Sequence, residues 1–239
     1  MKAWHFLPPD GKIADYGGSP HAGTVVTVGQ VLTVEPPIVP CQHGLHGSVR
    51  LLAALHYATS PLLCRVELSG VIVHDTDKHA ASVRRVLAMA NVTSVLHEFA
   101  CEVAEEALLN ERAQGREPDA RSWAAIETKR RWLRGEASDA DLTAARDAAD
   151  AAARDAAWAA SRAASRAASR AAAWHAAWHA AWDAASHAAR HASRARDAAW
   201  DAAKDAAKHA QNERLTALVL ALPEFAEAAA DTQEDQGDA

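Results

Sequence analysis

The chain has 239 residues and a formal charge of −6, with 49% hydrophobic residues; that length gives room for one or two domains with a real core. Glu224, Glu227, Asp231, Glu234, Asp235 and Asp238 fall in a final stretch without Lys or Arg, so the body is nearly neutral, which argues against nucleic acid as a partner. Three cysteines make no paired framework, MKAWHFLPPDG carries no apolar signal region, and no run is apolar enough to span a bilayer, so a reducing, cytoplasmic setting away from the membrane is expected.

Residues 1 to about 90 read as a compact β-rich domain with one short helix. Lys2 to Leu7 is a first strand ending at Pro8-Pro9, and PDGK suits a turn. Thr24 to Val28 and Val31 to Val34 read as strands around Gly29. Pro36, Pro37 and Pro40 then lead into CQHGLHGS. Val49 to Ala58 suits a helix, Leu62 to Leu68 a buried strand, Val71 to His74 its continuation, and Ser82 to Met89 a last strand.

Asn91 suits the cap of a helix on which Val92, Val95, Leu96, Phe99, Val103 and Leu108 keep helical spacing. A loop through Gln114, Gly115, Glu117 and Pro118 precedes a helix from about Arg121 to Arg134 that carries Trp123, Ile126, Trp132 and Leu133. Gly135 suits its C-terminus, and Ser138 or Asp139 the next N-cap. Residues 91–135 thus read as a helical connector.

From Arg146 to His209 the chain repeats four-residue units such as RDAA, RAAS, WHAA and KDAA, and no Gly or Pro occurs from Glu136 to Leu222. Alanine is the strongest helix former, so residues 136–222 predict one long helix, with a fold-back near residue 194 as the alternative. A tetrad advances about 400°, so it drifts about 40° per repeat around a straight helix and builds no ordinary coiled-coil seam. The register slips by two at Arg194 to Arg196, which brings Trp200 back onto the face of Trp174, Trp178 and Trp182. These four read as one aromatic stripe meant to be covered. Leu215, Leu218, Val219 and Leu222 form an apolar patch at the far end. Pro223 should stop the helix, and residues 223–239 read as a disordered acidic tail. The fold expected is therefore α+β: a small β-rich N-terminal domain, a helical connector and a long alanine-rich helix.

The run from KAWHFL through CQHGLHGS, LHYA, RVELSG and DTDK resembles an uncharacterised domain of bacteriophage and actinobacterial proteins, on Cys41, Gly44, His46, Gly70 and Lys78. HEFACEVAEEAL with SWAAIETKRRWLRGEASDADLTAARDAA resembles the helical region of immunity proteins in polymorphic-toxin systems. Neither resemblance implies an established activity. The layout of Trp4-His5, Gly44-Leu45-His46 with Ser48, His56-Tyr57-Ala58 and LLCRVELSG is similar to ADP-ribosyltransferase folds. That likeness implies that His5 and Tyr57 hold nicotinamide and ribose, while Glu67 lies within a strand and does not match the family's late-loop acid.

Candidate catalytic residues are accordingly His5, His46 and Tyr57. Cys41, His43 and His46 offer nitrogen and sulfur ligands within six residues, but the spacing is not a standard zinc signature, and a hydrogen-bonded turn is the simpler reading. His175 with His179, and His187 with His191, are i, i+4 pairs that a tetrad repeat produces automatically. No Ser-His-Asp order or phosphate-binding glycine loop is present. The function expected is non-enzymatic: a phage- or prophage-type accessory factor acting through the Trp stripe and the terminal Leu patch. Its partner would be a second copy or another protein, for immunity or anti-defence, with no cofactor. The alternative is an ADP-ribosyltransferase-like or nucleotide-binding N-terminal domain with the helix as an oligomerisation arm.

Overall fold

The structure, a computed structural model, describes residues 1–14, 20–155, 162, 166 and 197–230. It is α+β, and the chain divides into two compact units, Met1–Thr93 with Leu215–Ala239, and Ser94–Arg214.

The first unit is built on a five-stranded antiparallel sheet. Strands β1 (Lys2–Leu7), β2 (Val31–Thr33) and β3 (Leu45–Gly47) precede a short helix, α1 (Leu51–His56). Two thirteen-residue strands follow, β4 (Leu62–His74) and β5 (His79–Asn91), paired from Leu62↔Asn91 to His74↔His79. β1 pairs with β4, while β2 and β3 pair with β5. Ser48, just past β3, exchanges two backbone hydrogen bonds with Trp4 on β1, at 2.8 and 2.9 Å. The sheet therefore curls until β1, β4, β5 and the end of β3 make a hydrogen-bonded ring. Small residues permit this closure: a Cβ on Gly47 would stand 3.0 Å from the Cβ of Ala3 and 3.4 Å from side-chain carbons of Val66 and Leu68. Ala3, Leu7, Val26, Cys64, Val66, Leu68, Ala81 and Val86 fill the interior.

Two local expectations change. Thr24 to Val28 forms no strand: Val25 makes one bridge to Lys12, and Val26 donates its N–H to Gly11. Gly23 and Gly29 bracket the segment with positive φ, which turns the chain before a ladder can extend. β4 runs unbroken through Gly70, whose φ of +73° absorbs a bulge while Ser82 Oγ accepts the Val71 N–H at 2.9 Å.

The second unit contains α2 (Thr93–Ala113), α3 (Ala120–Leu133), α4 (Asp139–Asp155) and most of α5 (Asp197–Leu220). Asn91 Oδ1 accepts the Thr93 N–H at the start of α2. Asp119 caps α3 by accepting the Arg121 N–H, and its Arg121 contacts hold its pKa near 2. Ser138 and Asp141 exchange reciprocal hydrogen bonds at the start of α4, a capping box with Asp in the acidic place. α3 packs along α4 through Ala125, Leu142 and Ala149. Ion pairs from Arg130 to Glu98 and Glu105, and from Arg214 to Glu106, tie α3 and α5 to α2.

The long helix predicted over 136–222 is described at its two ends, as α4 and α5, with Arg162 and Arg166 exposed helical positions between them. Its continuity lies outside the described residues. The C-terminal boundary differs from expectation: Pro223 opens a further helix, α6 (Pro223–Ala230), that packs on β5. Proline fits a first helical turn because its missing N–H would be unpaired there anyway. Phe225 supplies the apolar anchor that composition understated, fully buried with its ring 5.8 Å from Trp4. No described helix is long and apolar enough to cross a membrane.

Candidate functional site

A cleft of about 390 Å³ opens in the first unit, within the size range of small-molecule sites. Its walls include β1, the segment from Cys41 to Ser48, the end of α1 at Tyr57, and the β4–β5 hairpin with Lys78 and Arg84, with Ile13 and Val34 from the chain between β1 and Cys41. Leu7, Ile13, Val34 and Leu45 supply apolar lining. His5, His46 and Tyr57, widely separated in sequence, all line it. Ring closure explains the convergence, since the Trp4–Ser48 pairing draws β1 and the end of β3 together.

Both histidines are pushed towards the neutral form. Burial depresses the His5 pKa well below its usual range, and the charges of Arg84 and His46 add to the effect. His46 is lowered by burial, then by Lys78 and Arg84. His46 Nε2 accepts the Cys41 backbone N–H at 3.1 Å, which leaves Nδ1 to carry the ring proton. Cys41 itself is in the left-handed region, with φ of +64°.

Tyr57 is fixed by the hairpin tip. Its hydroxyl donates to both carboxylate oxygens of Asp77, at 2.8 and 2.9 Å, and the Lys78 ammonium sits 4.2 Å over its ring. Partial burial and the Asp77 contact raise the phenol pKa. Burial works against the Lys78 charge, but contacts with Cys41 and Tyr57 outweigh it and the net direction is upward. Arg84 is 3% exposed; its Nη1 donates to the His46 carbonyl at 3.0 Å, while Nε has no partner. Burial pulls its pKa down to about 10. Trp4 is pinned from elsewhere in the unit, with the Arg65 guanidinium 4.3 Å over its ring and Phe225 at its edge.

Other expected sites fall differently. Cys41, His43 and His46 share the cleft wall, but His43 Nε2 bonds the Glu35 carbonyl at 2.7 Å and His46 Nε2 is occupied by Cys41. Among the described residues no three His, Cys, Asp or Glu side chains group to hold a metal ion. Glu67 pairs with Lys2 and Arg85 in the ladder and does not line the cleft. Leu215 and Val219 are fully buried within this chain, and Leu218 and Leu222 are half-buried, so much of the terminal patch belongs to the protein's own interior. Trp174, Trp178 and Trp182 lie outside the described residues, as does the side chain of Trp200.

Arg84 is not among the sequence-derived candidates, and Lys78 enters there only among the residues that carry the resemblance to the bacteriophage and actinobacterial domain. Strand parity carried a signal for Arg84: Ala80, Ser82, Arg84, Val86, Ala88 and Ala90 are all buried on β5, so period-two alternation places this arginine inward. No known protein family matches the chain, and neither a curated protein nor a solved structure matches it.

Proposed function

We propose that the first unit is a small-molecule-binding module and that this cleft is its ligand site. The observation that carries the reading is the convergence of His5, His46, Tyr57, Lys78 and Arg84 from distant parts of the chain onto one hollow of ligand size. Apolar lining with a few fixed polar groups is the make-up of such sites. The described lining contains no carboxylate to act on a reacting ribose, so the support extends to binding and not to ADP-ribosyl transfer.

The test is thermal unfolding of the full chain against a panel of metabolites, including NAD, nucleotides, sugars and amino acids, at millimolar concentration. A ligand present at about 100 times its Kd adds about 2.7 kcal/mol and raises the midpoint by several degrees. The reading expects at least one such stabilisation, weakened at least tenfold in Kd by His46→Asn and by Tyr57→Ala. A ligand whose stabilisation both variants retain in full would place the binding elsewhere, and a flat panel would count against the cleft as a ligand site.

A further inference from the structure

We infer that the ligand is phosphorylated, its phosphate seated between the buried Arg84 guanidinium and the Lys78 ammonium; this rests on the cleft being a ligand site. Arg84 is held inside by strand parity and by its bond to the His46 carbonyl. Its Nε is buried without a partner, and no described carboxylate forms an ion pair with it. A buried guanidinium in this state is costly, because the uncharged His46 carbonyl that Nη1 meets replaces only part of the hydration the cation lost. The neighbouring imidazoles do not compensate, since an imidazole is neutral or cationic and offers no negative charge.

Lys78 supplies a second cation to the same hollow. Both it and Arg84 act electrostatically on the His46 ring. The adjacent carboxylate, Asp77, is engaged by the Tyr57 hydroxyl. Two converging cations with no described anion between them match a dianion better than a monoanion. The planar guanidinium fork suits phosphate oxygens, with the ammonium acting as a point charge beside it. The volume of about 390 Å³ and the apolar lining from Leu7, Ile13, Val34 and Leu45 leave room for an organic part attached to that phosphate.

Calorimetry on the full chain with AMP, adenosine and inorganic phosphate tests this. AMP should bind at least tenfold more tightly than adenosine, and Lys78→Met should remove that advantage. Arg84→Met should remove it as well while leaving the ligand-free melting temperature unchanged or higher; a purely structural arginine would instead lower it. Inorganic phosphate binding as tightly as AMP supports the same seat with the free ion as occupant. Adenosine binding as tightly as AMP overturns the phosphate seat but leaves the cleft reading standing. Failure of all three to bind overturns it too, and the metabolite panel then decides separately whether the cleft binds anything.

Discussion

Lys129 offers a direct test of the packing in the second unit. It lies on α3 with 0% exposure, its Nζ has no hydrogen-bond partner, and the ammonium sits 3.9 Å over the Trp132 ring. Burial brings its pKa from 10.5 down to about 8, against an opposing pull from Cys101 and Asp139. That interval corresponds to about 3 kcal/mol of folding free energy lost while the amine is charged. A desolvated cation over an indole recovers about 2 kcal/mol. Lys129→Met keeps the apolar stem and removes the charge, so it should stabilise the unit by about 1–2 kcal/mol at pH 7. Urea unfolding followed by circular dichroism measures the change, and amide exchange in α2 and α3 localises it. The pH dependence supplies a second check. Between pH 8 and 10.5 the folded protein has released the Lys129 proton that the unfolded chain still binds, so the wild type gains stability through that window and the advantage of the variant narrows. A destabilised Lys129→Met at pH 7, or a gap that stays constant as pH rises, would show that the ammonium has a compensating partner and refute the reasoning.

His97 faces the same interior, 2% exposed and with Nδ1 unpartnered, and burial followed by the Lys129 charge depresses its pKa to about 4. The unfolded chain takes up this proton near pH 6.5, so stability present above that pH is lost as pH falls towards 4, by about 3 kcal/mol. His97→Phe should flatten this acid limb in thermal scans from pH 7 to 4.5, and equal losses in both proteins would reject the assignment. In the first unit, Phe225→Ala should cost about 3–5 kcal/mol as a buried aromatic truncation; a shift below about 1 kcal/mol in urea unfolding would mean that α6 does not anchor the sheet.

What the sequence made legible follows from how local each signal is. Caps and turns were readable because they depend on near neighbours: Asn91, Gly135 and Ser138 act within three residues of where they stand. The hairpin strands were readable from their apolar runs, although His79–Asn91 extends beyond the predicted span because Ala80, Ala81 and Ala90 pack well in a crowded interior while signalling helix by propensity. Lys129 was not legible. It shares a face with Ser122, Ala125 and Ile126 on α3, yet Trp123 and Trp132 draw attention to other positions that the structure leaves half-buried. The candidate cleft divides in the same way. His5, His46 and Tyr57 are picked out by the layout that is similar to ADP-ribosyltransferase folds, whereas the inward placing of the cations beside them depends on a strand parity and a hairpin register that composition does not display.

The C-terminal segment shows why a domain boundary drawn from composition falls in the wrong place. PEFAEAAA sets a single aromatic residue among alanines and glutamates, and propensity alone gives that residue no destination. Its ring nevertheless lies against Trp4, which also lies under Arg65 and shares the strand of His5. The unit that carries the cleft is therefore discontinuous in sequence, assembled from Met1–Thr93 and the chain from Leu215 onward. A fragment ending near residue 93 would leave the Phe225-facing side of Trp4 in water and remove the buried apolar area of Leu215, Val219 and Phe225, destabilising the strand that presents His5. Ligand affinity measured on such a fragment would report the loss of that support together with the properties of the cleft, so the cleft has to be assayed in the complete chain.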